Sequence, residues 1–233
     1  MASDPEGIVD TLHQLARLDP VELGLAAVLD QIVQAATSCC GISGGVGLLL
    51  LGPDDQLHYV AAADRRRGLF ADIQLPEREG PSVDAFVQDQ PVSSGDLASE
   101  RRWPAFRDQA KATSLRAWLS VPVRQRHGPI GALDLARTDP QPWQPQDVAT
   151  GSAFARLIMA TLELASARQQ EGLTPELAFA VQHDARVEQA RGVLMERERV
   201  DAVAASALLE QQAHIEGRPL RAIAERILAH VRR

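Results

Sequence analysis

Two adjacent cysteines, Cys39 and Cys40, are the side chains of this chain best suited to covalent chemistry. Neighbouring cysteines rarely form a disulfide, because the geometry is strained. Two cysteines are also too few for a disulfide framework or a metal cage. We interpret them as buried apolar side chains at a helix end, a common role of free cysteine, with redox sensing as the alternative.

The remaining reactive residue types form no convincing catalytic or cofactor motif. The stretch 44–47 (GGVG) leads into a strand and not into a helix, which disfavours a dinucleotide site. No Ser-His-Asp arrangement, phosphate-binding loop or paired-carboxylate site is convincing in the sequence. The six histidines are scattered without metal-ligand spacing: His13, His58, His127, His183, His214 and His230. The chain is therefore predicted not to be an enzyme, and no cofactor or metal is identified.

Composition indicates an ordinary cytoplasmic protein without a membrane role. Of its 233 residues, 45% are hydrophobic and 24% are charged, and the longest apolar run, 46–51, is only as long as a strand. The acidic N-terminus does not resemble a signal peptide. The net charge of -7 lies in the first 172 residues, since residues 173–233 hold nine Arg and nine Asp or Glu. Any nucleic-acid binding by the C-terminal part must therefore use a local patch.

The first two thirds of the chain are predicted to form helices, then strands, and then a final helix. Asp19-Pro20-Val21-Glu22 is a helix start with an Asp cap and Pro at the first position. Strand pairs are predicted at 46–51 with 57–63 and at 117–124 with 130–136, each around a turn. The middle holds a short helix at 83–88, an extended piece at 91–94 and an amphipathic piece at 103–112. A long helix follows Pro145. Adjacent hairpins packed against helices predict an antiparallel sheet in an α+β fold.

The last sixty residues are predicted to form three short helices. Thr174-Pro175-Glu176 restarts a helix that runs to about Arg197, and a second helix covers roughly 202–214 and ends at Gly217. The third helix, from Pro219, carries apolar residues at helical spacing. We place an N-terminal α+β domain at 8–167, a connector at 168–172 and an all-α, three-helix module at 173–233.

The C-terminal module resembles the ANTAR domain. The resemblance begins at 187–197 (VEQARGVLMER) and continues through an alanine-rich helix, an Arg-Pro-Leu step at 218–220 and Ile223-Ala224. The alanine-rich helix contributes Ala205, Leu208, Leu209 and Ala213. The spacing holds across all three helices. Ala190, Gly192, Ala205, Ala213 and Ala224 are expected to let helices approach closely, with Leu194 and Met195 in the core.

The N-terminal part resembles a GAF domain. The cues are 79–85 (EGPSVDA), 91–92 (PV), 96–97 (DL), 120–123 (SVPV) and 131–133 (GAL), and their order carries the resemblance. A GAF–ANTAR protein is implied to be a signal-responsive transcription antiterminator. ANTAR modules bind paired hairpin loops in leader RNA, so a homodimer is the usual form, and GAF domains bind small molecules or dimerise.

This resemblance gives two sets of site residues. Proteins hold RNA loops with Arg or Lys on phosphates and with stacking on bases, so Arg191, Arg197, Arg218 and Arg221 are the RNA-binding residues. Each could instead be a solvated or ion-paired Arg; Glu188 with Arg191 and Arg221 with Glu225 have pairing distance. For a ligand pocket the residues are Tyr59, Phe70, Phe86, Trp118 and Asp134. The alternative is that these aromatics are core and that Asp134 bonds backbone.

Two departures from the family pattern motivate a second hypothesis. Ser206 stands where the family usually has an aromatic, and Glu210 stands where a basic residue is common. An aromatic offers a stacking surface of roughly 1–3 kcal/mol per base, and an acid repels phosphate. The alternative function is a dimeric interaction protein whose helical tail binds a protein and no longer RNA. Leu157, Leu164, Leu177 and Leu194 are proposed as a dimer seam; no DNA-binding motif is seen.

Overall fold

The computed structural model describes residues 5–53, 56–63, 79–168, 173, 177–178, 180, 183–216, 218 and 220–231. The chain divides into two compact units, formed mainly by residues 1–180 and 181–233. Phe70 and the helix start at 174–176 lie outside the described residues, as do Gly217 and Pro219.

The first unit begins with three helices, α1 (Pro5–Leu15), α2 (Pro20–Leu23) and α3 (Leu25–Cys39). The predicted helix start is confirmed, since Asp19 accepts a hydrogen bond from the Val21 N–H at 2.9 Å. The helix it starts is only four residues long, because Gly24 adopts φ 85° and breaks the chain direction. The apolar residues that follow at helical spacing therefore belong to α3, whose buried residues are Leu25, Val28, Leu29, Ile32, Val33 and Ala36.

Five strands form one antiparallel sheet: β1 (Gly45–Leu51), β2 (Leu57–Ala62), β3 (Val92–Ser94), β4 (Ala117–Gln125) and β5 (Gly128–Arg137). Their order is β2-β1-β5-β4-β3. The strand pairs and the α+β class predicted from the sequence are confirmed. Gly131 allows β1 and β5 to pair, because a Cβ there would lie 2.0 Å from the Leu49 carbonyl oxygen.

The two faces of the sheet carry different helices. Side chains alternate along β5, so Asp134 faces α4 (Pro81–Gln88), whereas Leu135 faces Gly151 on α6 (Pro145–Ala167). Helix α6 packs against α3. Of the described helices, α6 alone has the length and apolar composition of a membrane span, but half of that stretch is buried against the rest of the protein, as in core helices of soluble proteins.

Helix α5 (Pro104–Ala110) is capped from a distant part of the chain. Its N-cap residue, Trp103, makes no side-chain cap, and Glu79 Oε1 instead accepts the N–H groups of Ala105 and Phe106 at 2.5 and 3.0 Å. The Trp103 indole N–H also donates to Asp84 Oδ2 at 2.9 Å. The segment that resembles the GAF pattern therefore fixes α5 against α4.

Removing this cap is expected to destabilise the first unit. Glu79→Ala leaves two backbone N–H groups without their acceptor and should lower the free energy of unfolding by about 1–2 kcal/mol. Urea unfolding measures this loss. Glu79→Gln keeps an acceptor oxygen and should lose less, and Glu163→Ala, on the exposed face of α6, should change little. Equal losses for all three variants would contradict the capping role.

The second unit contains the three predicted helices, α7 (His183–Glu198), α8 (Ala202–Glu216) and α9 (Leu220–Val231). Asp201 caps α8 by accepting the Ala204 N–H at 2.8 Å. The helices share one core of Val187, Ala190, Leu194, Ala205, Leu209, Ile223, Ala224 and Ile227. Leu194 belongs to this core and Leu177 is also buried, so both side chains of the proposed dimer seam already pack within the chain, and the seam stays a prediction.

Candidate functional site

A buried carboxylate, Asp134 on β5, is the centre of a polar cluster inside the first unit. Asp134 is 0% exposed. It accepts hydrogen bonds from Tyr59 Oη at 2.7 Å, Ser120 Oγ at 2.6 Å and Ser82 Oγ at 2.7 Å. The Trp118 indole N–H donates to Ser120 Oγ at 3.1 Å. These five residues, the Asp134 cluster, come from β2, α4, β4 and β5.

The position of Asp134 determines its electrostatics. Burial raises the pKa of the Asp134 carboxyl above its ordinary value, and the hydroxyl hydrogen bonds oppose that shift only in part. Burial also raises the pKa of the Tyr59 phenol, and the nearby Asp134 charge adds to this effect. Directed hydrogen-bonding groups in an apolar surrounding are typical of small-molecule sites.

Stability should depend on pH through Asp134. The pKa of its carboxyl is raised in the folded protein, so the folded state holds this proton at pH values where the unfolded chain, with a pKa of about 3.9, has lost it. Wild type should therefore lose stability relative to Asp134→Asn as pH rises from about 4 through the folded-state pKa. Urea unfolding at several pH values measures the difference. Asp30→Asn, on the exposed side of α3, is the control, and a difference constant with pH would contradict the assignment.

The four proposed RNA-binding arginines of the second unit have different surroundings. Arg191 forms an ion pair with Glu188 on the same helix, the pairing anticipated from their spacing. Arg197 is 68% exposed near the end of α7, and Arg218 is also exposed. Arg221 lies in the first turn of α9, but its side chain is outside the described part of the structure.

A groove of about 370 Å³ lies between α7, α8 and α9. The groove is lined by basic, acidic, amide and apolar side chains: Arg197, Arg226, His230, Glu198, Gln212, Leu194 and Ile227. Arg226 is oriented by Glu216 through two hydrogen bonds of 2.6 and 2.7 Å, which hold the pKa of the Glu216 carboxyl below its ordinary value. The sequence reasoning missed Arg226 and His230, although their four-residue spacing places them on one side of α9.

Comparison with protein-family models identifies the family of each unit. The GAF domain model matches residues 22–163, and the ANTAR domain model matches residues 175–228. The chain belongs to the GAF–ANTAR family of two-domain regulators. GAF and ANTAR domains are sensor and regulatory modules, and domains of these classes bind small ligands and RNA, respectively.

Solved structures agree with the GAF fold. The GAF domain of a phosphoenolpyruvate-protein phosphotransferase from Coxiella burnetii is 15% identical, with a TM-score of 0.58 over 72% of this chain and 99% of that one. Free methionine-R-sulfoxide reductase from Neisseria meningitidis, in complex with its substrate, is 19% identical, with a TM-score of 0.57 over 72% and 95%. At these identities the likeness shows the fold alone. No curated protein sequence matches the chain.

Within the GAF domain, three of the five predicted pocket residues come together. Tyr59, Trp118 and Asp134 belong to one cluster, in which Asp134 accepts hydrogen bonds from side chains. Trp118 is also a core residue, as the alternative held. Phe86 packs nearby against a group of leucines, and Phe70 is not among the described residues. Ser82 and Ser120 were missed, because only the pairing of the strands and the packing of α4 on the sheet show that their hydroxyls meet Asp134. That these residues bind a ligand stays a prediction.

The cysteines of the GAF domain have the environment expected of packing residues. Cys40 is buried at the end of α3, Cys39 is half-buried, and both are free. Burial raises the pKa of the Cys40 thiol to about 12, so it stays protonated near neutral pH and is a poor nucleophile. Among the residues that the structure describes, no group of three His, Cys, Asp or Glu side chains could hold a metal ion.

The small residues of the ANTAR domain were predicted correctly except at one position. Ala190, Ala205 and Ala224 are 0% exposed between the helices. Gly192 was expected to allow close helix packing, which is wrong: it is exposed, and a Cβ there would meet nothing within 4 Å. Gly192 thus leaves a bare stretch of backbone on the surface of α7.

Filling this exposed position should stabilise the ANTAR helices. Glycine inside a helix costs about 0.5–1 kcal/mol relative to alanine, and Gly192→Ala meets no neighbour. We expect thermal unfolding followed by far-ultraviolet circular dichroism to shift to higher temperature. Ala190→Gly, at the buried position two residues earlier, should shift it downward. A destabilised Gly192→Ala variant would show that Gly192 has a packing role after all.

Proposed function

We propose that this GAF–ANTAR protein is a cytoplasmic, signal-responsive transcription antiterminator whose ANTAR helices bind hairpin loops in leader RNA. The observation that carries the proposal is the ANTAR match over α7, α8 and α9. These helices share a continuous core, which leaves Arg197 and Arg218 exposed for phosphate contacts. The protein is proposed to regulate without catalysing a reaction.

The RNA surface that we propose extends the four predicted arginines to the groove beside Arg197. Arg191, Arg197, Arg218 and Arg221 remain the proposed contacts, and Arg226 adds donors and His230 a ring nitrogen at the groove beside Arg197. Arg226 is held by Glu216, so it is suited to position a base or phosphate with little loss of side-chain freedom. Such a local patch is what a module without net charge requires.

The proposed signal is a small molecule bound in the GAF domain near the Asp134 cluster. Tyr59, Phe86, Trp118 and Asp134 would supply aromatic surface and hydrogen-bonding groups, and Phe70 remains part of the proposed set. Two ANTAR modules are needed for two RNA loops, so ligand control of a homodimer would change RNA affinity by multivalency.

A protein-binding tail is the second candidate, and exposed apolar side chains on one helix favour it. Helix α8 exposes the apolar side chains of Val203, Leu208 and Ile215, with exposed fractions of 79%, 38% and 73%. Glu210 is exposed on the same helix, and Ser206 is half-buried. Exposed apolar side chains are better suited to contact a protein partner than RNA phosphates.

A selection experiment separates these functions. The full-length protein is incubated with a pool of RNAs, each carrying two short hairpins with randomised loops, and the bound RNAs are sequenced. The proposed function predicts enrichment of RNAs whose two loops share a sequence. An Arg197→Glu, Arg218→Glu variant should lose the enrichment. No enrichment by folded wild type would contradict the proposal and favour the protein-binding tail.

A further inference from the structure

Basic residues are concentrated in one short stretch of the acidic GAF domain. Residues 101–116 hold five Arg or Lys and a single acid, Asp108, in a chain of net charge -7. This stretch contains Lys111, the only lysine of the protein. It comprises α5 and the segment that leads to β4.

Three of these basic residues surround one cavity of about 240 Å³. Arg107, Lys111 and Arg116 line it. The apolar side chains that also line it are Leu97, Ala110 and Leu115, all nearly fully buried. The cavity thus combines a cationic rim with an apolar floor, and it includes none of the residues of the Asp134 cluster.

The cations of this cavity are incompletely neutralised. Asp108 Oδ1 is shared between Lys111 at 2.7 Å and Arg107 at 3.2 Å, and Asp96 pairs with Arg116 at 2.9 Å. Two carboxylates therefore serve three cations. Asp108 is 59% exposed, so its ion pairs are weak and exchange easily. The Nε–H of Arg116 is buried and has no hydrogen-bond acceptor, which is costly unless an acceptor arrives.

We propose that this cavity is a second ligand site of the GAF domain, which binds a small organic anion. A carboxylate or phosphate group lies among Arg107, Lys111 and Arg116, and the apolar part of the ligand packs on Leu97, Ala110 and Leu115. Charge-assisted hydrogen bonds provide the affinity for the anionic group, and the apolar floor favours an organic anion over bare phosphate. This site does not depend on the RNA-binding function.

The single lysine makes the proposal directly testable. An amine-reactive reagent can modify only Lys111 and the N-terminal amine, and mass spectrometry of peptides measures both rates in the full-length protein. Phenyl phosphate and benzoate are the probes. Inorganic phosphate, which has no apolar part, tests whether the apolar floor contributes to binding. Benzyl alcohol, which has no charge, is the neutral control. At twice its dissociation constant a probe should slow Lys111 labelling about threefold by mass action, without slowing the N-terminal amine.

Control experiments distinguish ligand binding from charge screening by salt and from misfolding of the variants. Sodium chloride at matched ionic strength should protect Lys111 much less than phenyl phosphate, and Arg116→Leu should abolish the protection. Since Arg116→Leu could disturb the fold, calorimetric binding of phenyl phosphate to Lys111→Gln provides a second variant, for which weaker binding is expected. The proposal would be overturned if phenyl phosphate protected Lys111 no more than sodium chloride does. It would also be overturned if Arg116→Leu left the protection unchanged and Lys111→Gln left calorimetric binding unchanged.

Discussion

Trp118→Ala is expected to lower the free energy of unfolding of the GAF domain by about 3–5 kcal/mol, the usual cost of removing a fully buried aromatic side chain. Trp118 is 0% exposed, and its ring meets that of Phe106 edge-on at 5.3 Å. The substitution also removes the indole donor to Ser120. The ANTAR domain has a separate core, so its helices should remain folded.

The distribution of fluorophores allows the two domains to be followed separately. Trp103, Trp118 and Trp143 and the single tyrosine, Tyr59, all precede residue 168. Tryptophan fluorescence therefore reports on the GAF domain alone, whereas circular dichroism reports on both domains. Leu209→Ala, in the ANTAR core at 1% exposure, is the matched control. It should cost about 2–5 kcal/mol and move only the circular dichroism transition. Movement of the fluorescence transition in Leu209→Ala, or loss of the ANTAR part of the circular dichroism transition in Trp118→Ala, would contradict separate cores.

The second large effect is expected for charge reversal on the ANTAR surface. Arg197→Glu combined with Arg218→Glu should weaken binding to RNAs enriched from the two-hairpin pool by at least about 100-fold, since each lost charge-assisted contact costs roughly 1.5–3 kcal/mol. Fluorescence anisotropy measures the affinity. Because both side chains are exposed, the variant should keep its thermal stability.

Two matched substitutions test whether the effect is local. Glu210→Lys adds a cation at an exposed position of α8 and should raise RNA affinity and the salt slope by about one unit. Arg156→Glu, exposed on α6 of the GAF domain, should change affinity little. Equal weakening by Arg156→Glu would indicate a response to net charge, and no response to Glu210→Lys would place the RNA away from α8.

Most helices and strands could be predicted because their signals are local. The cap at Asp19 and the turns between strand pairs are coded by adjacent residues, as is the apolar spacing of α9. The break at Gly24 was missed, because a glycine inside a helical pattern does not reveal by itself that it will adopt a positive φ. The exposed Gly192 was misjudged for a related reason: periodicity does not show which small residues face a neighbouring helix.

The sites were predictable by residue type but not by arrangement. Tyr59, Trp118 and Asp134 are distinctive residues in a small domain, so they were identified before their contacts were known. Ser82 and Ser120 are common residue types. Only the pairing of β4 with β5 and the packing of α4 on the sheet bring them to Asp134. The groove at Arg197 likewise depends on how three helices pack, which sequence spacing within one helix cannot supply.

The most direct test of the central claim is equilibrium binding of the full-length protein to the two-hairpin RNA pool across a salt series. We predict tight binding at about 50 mM salt. The logarithm of the binding constant should fall linearly with the logarithm of the salt concentration, with a slope set by the number of phosphates contacted. Binding should be weaker when one hairpin is deleted, because two modules engage two loops. A folded protein that binds neither RNA at about 50 mM salt, where phosphate contacts are strong, would contradict the antiterminator assignment.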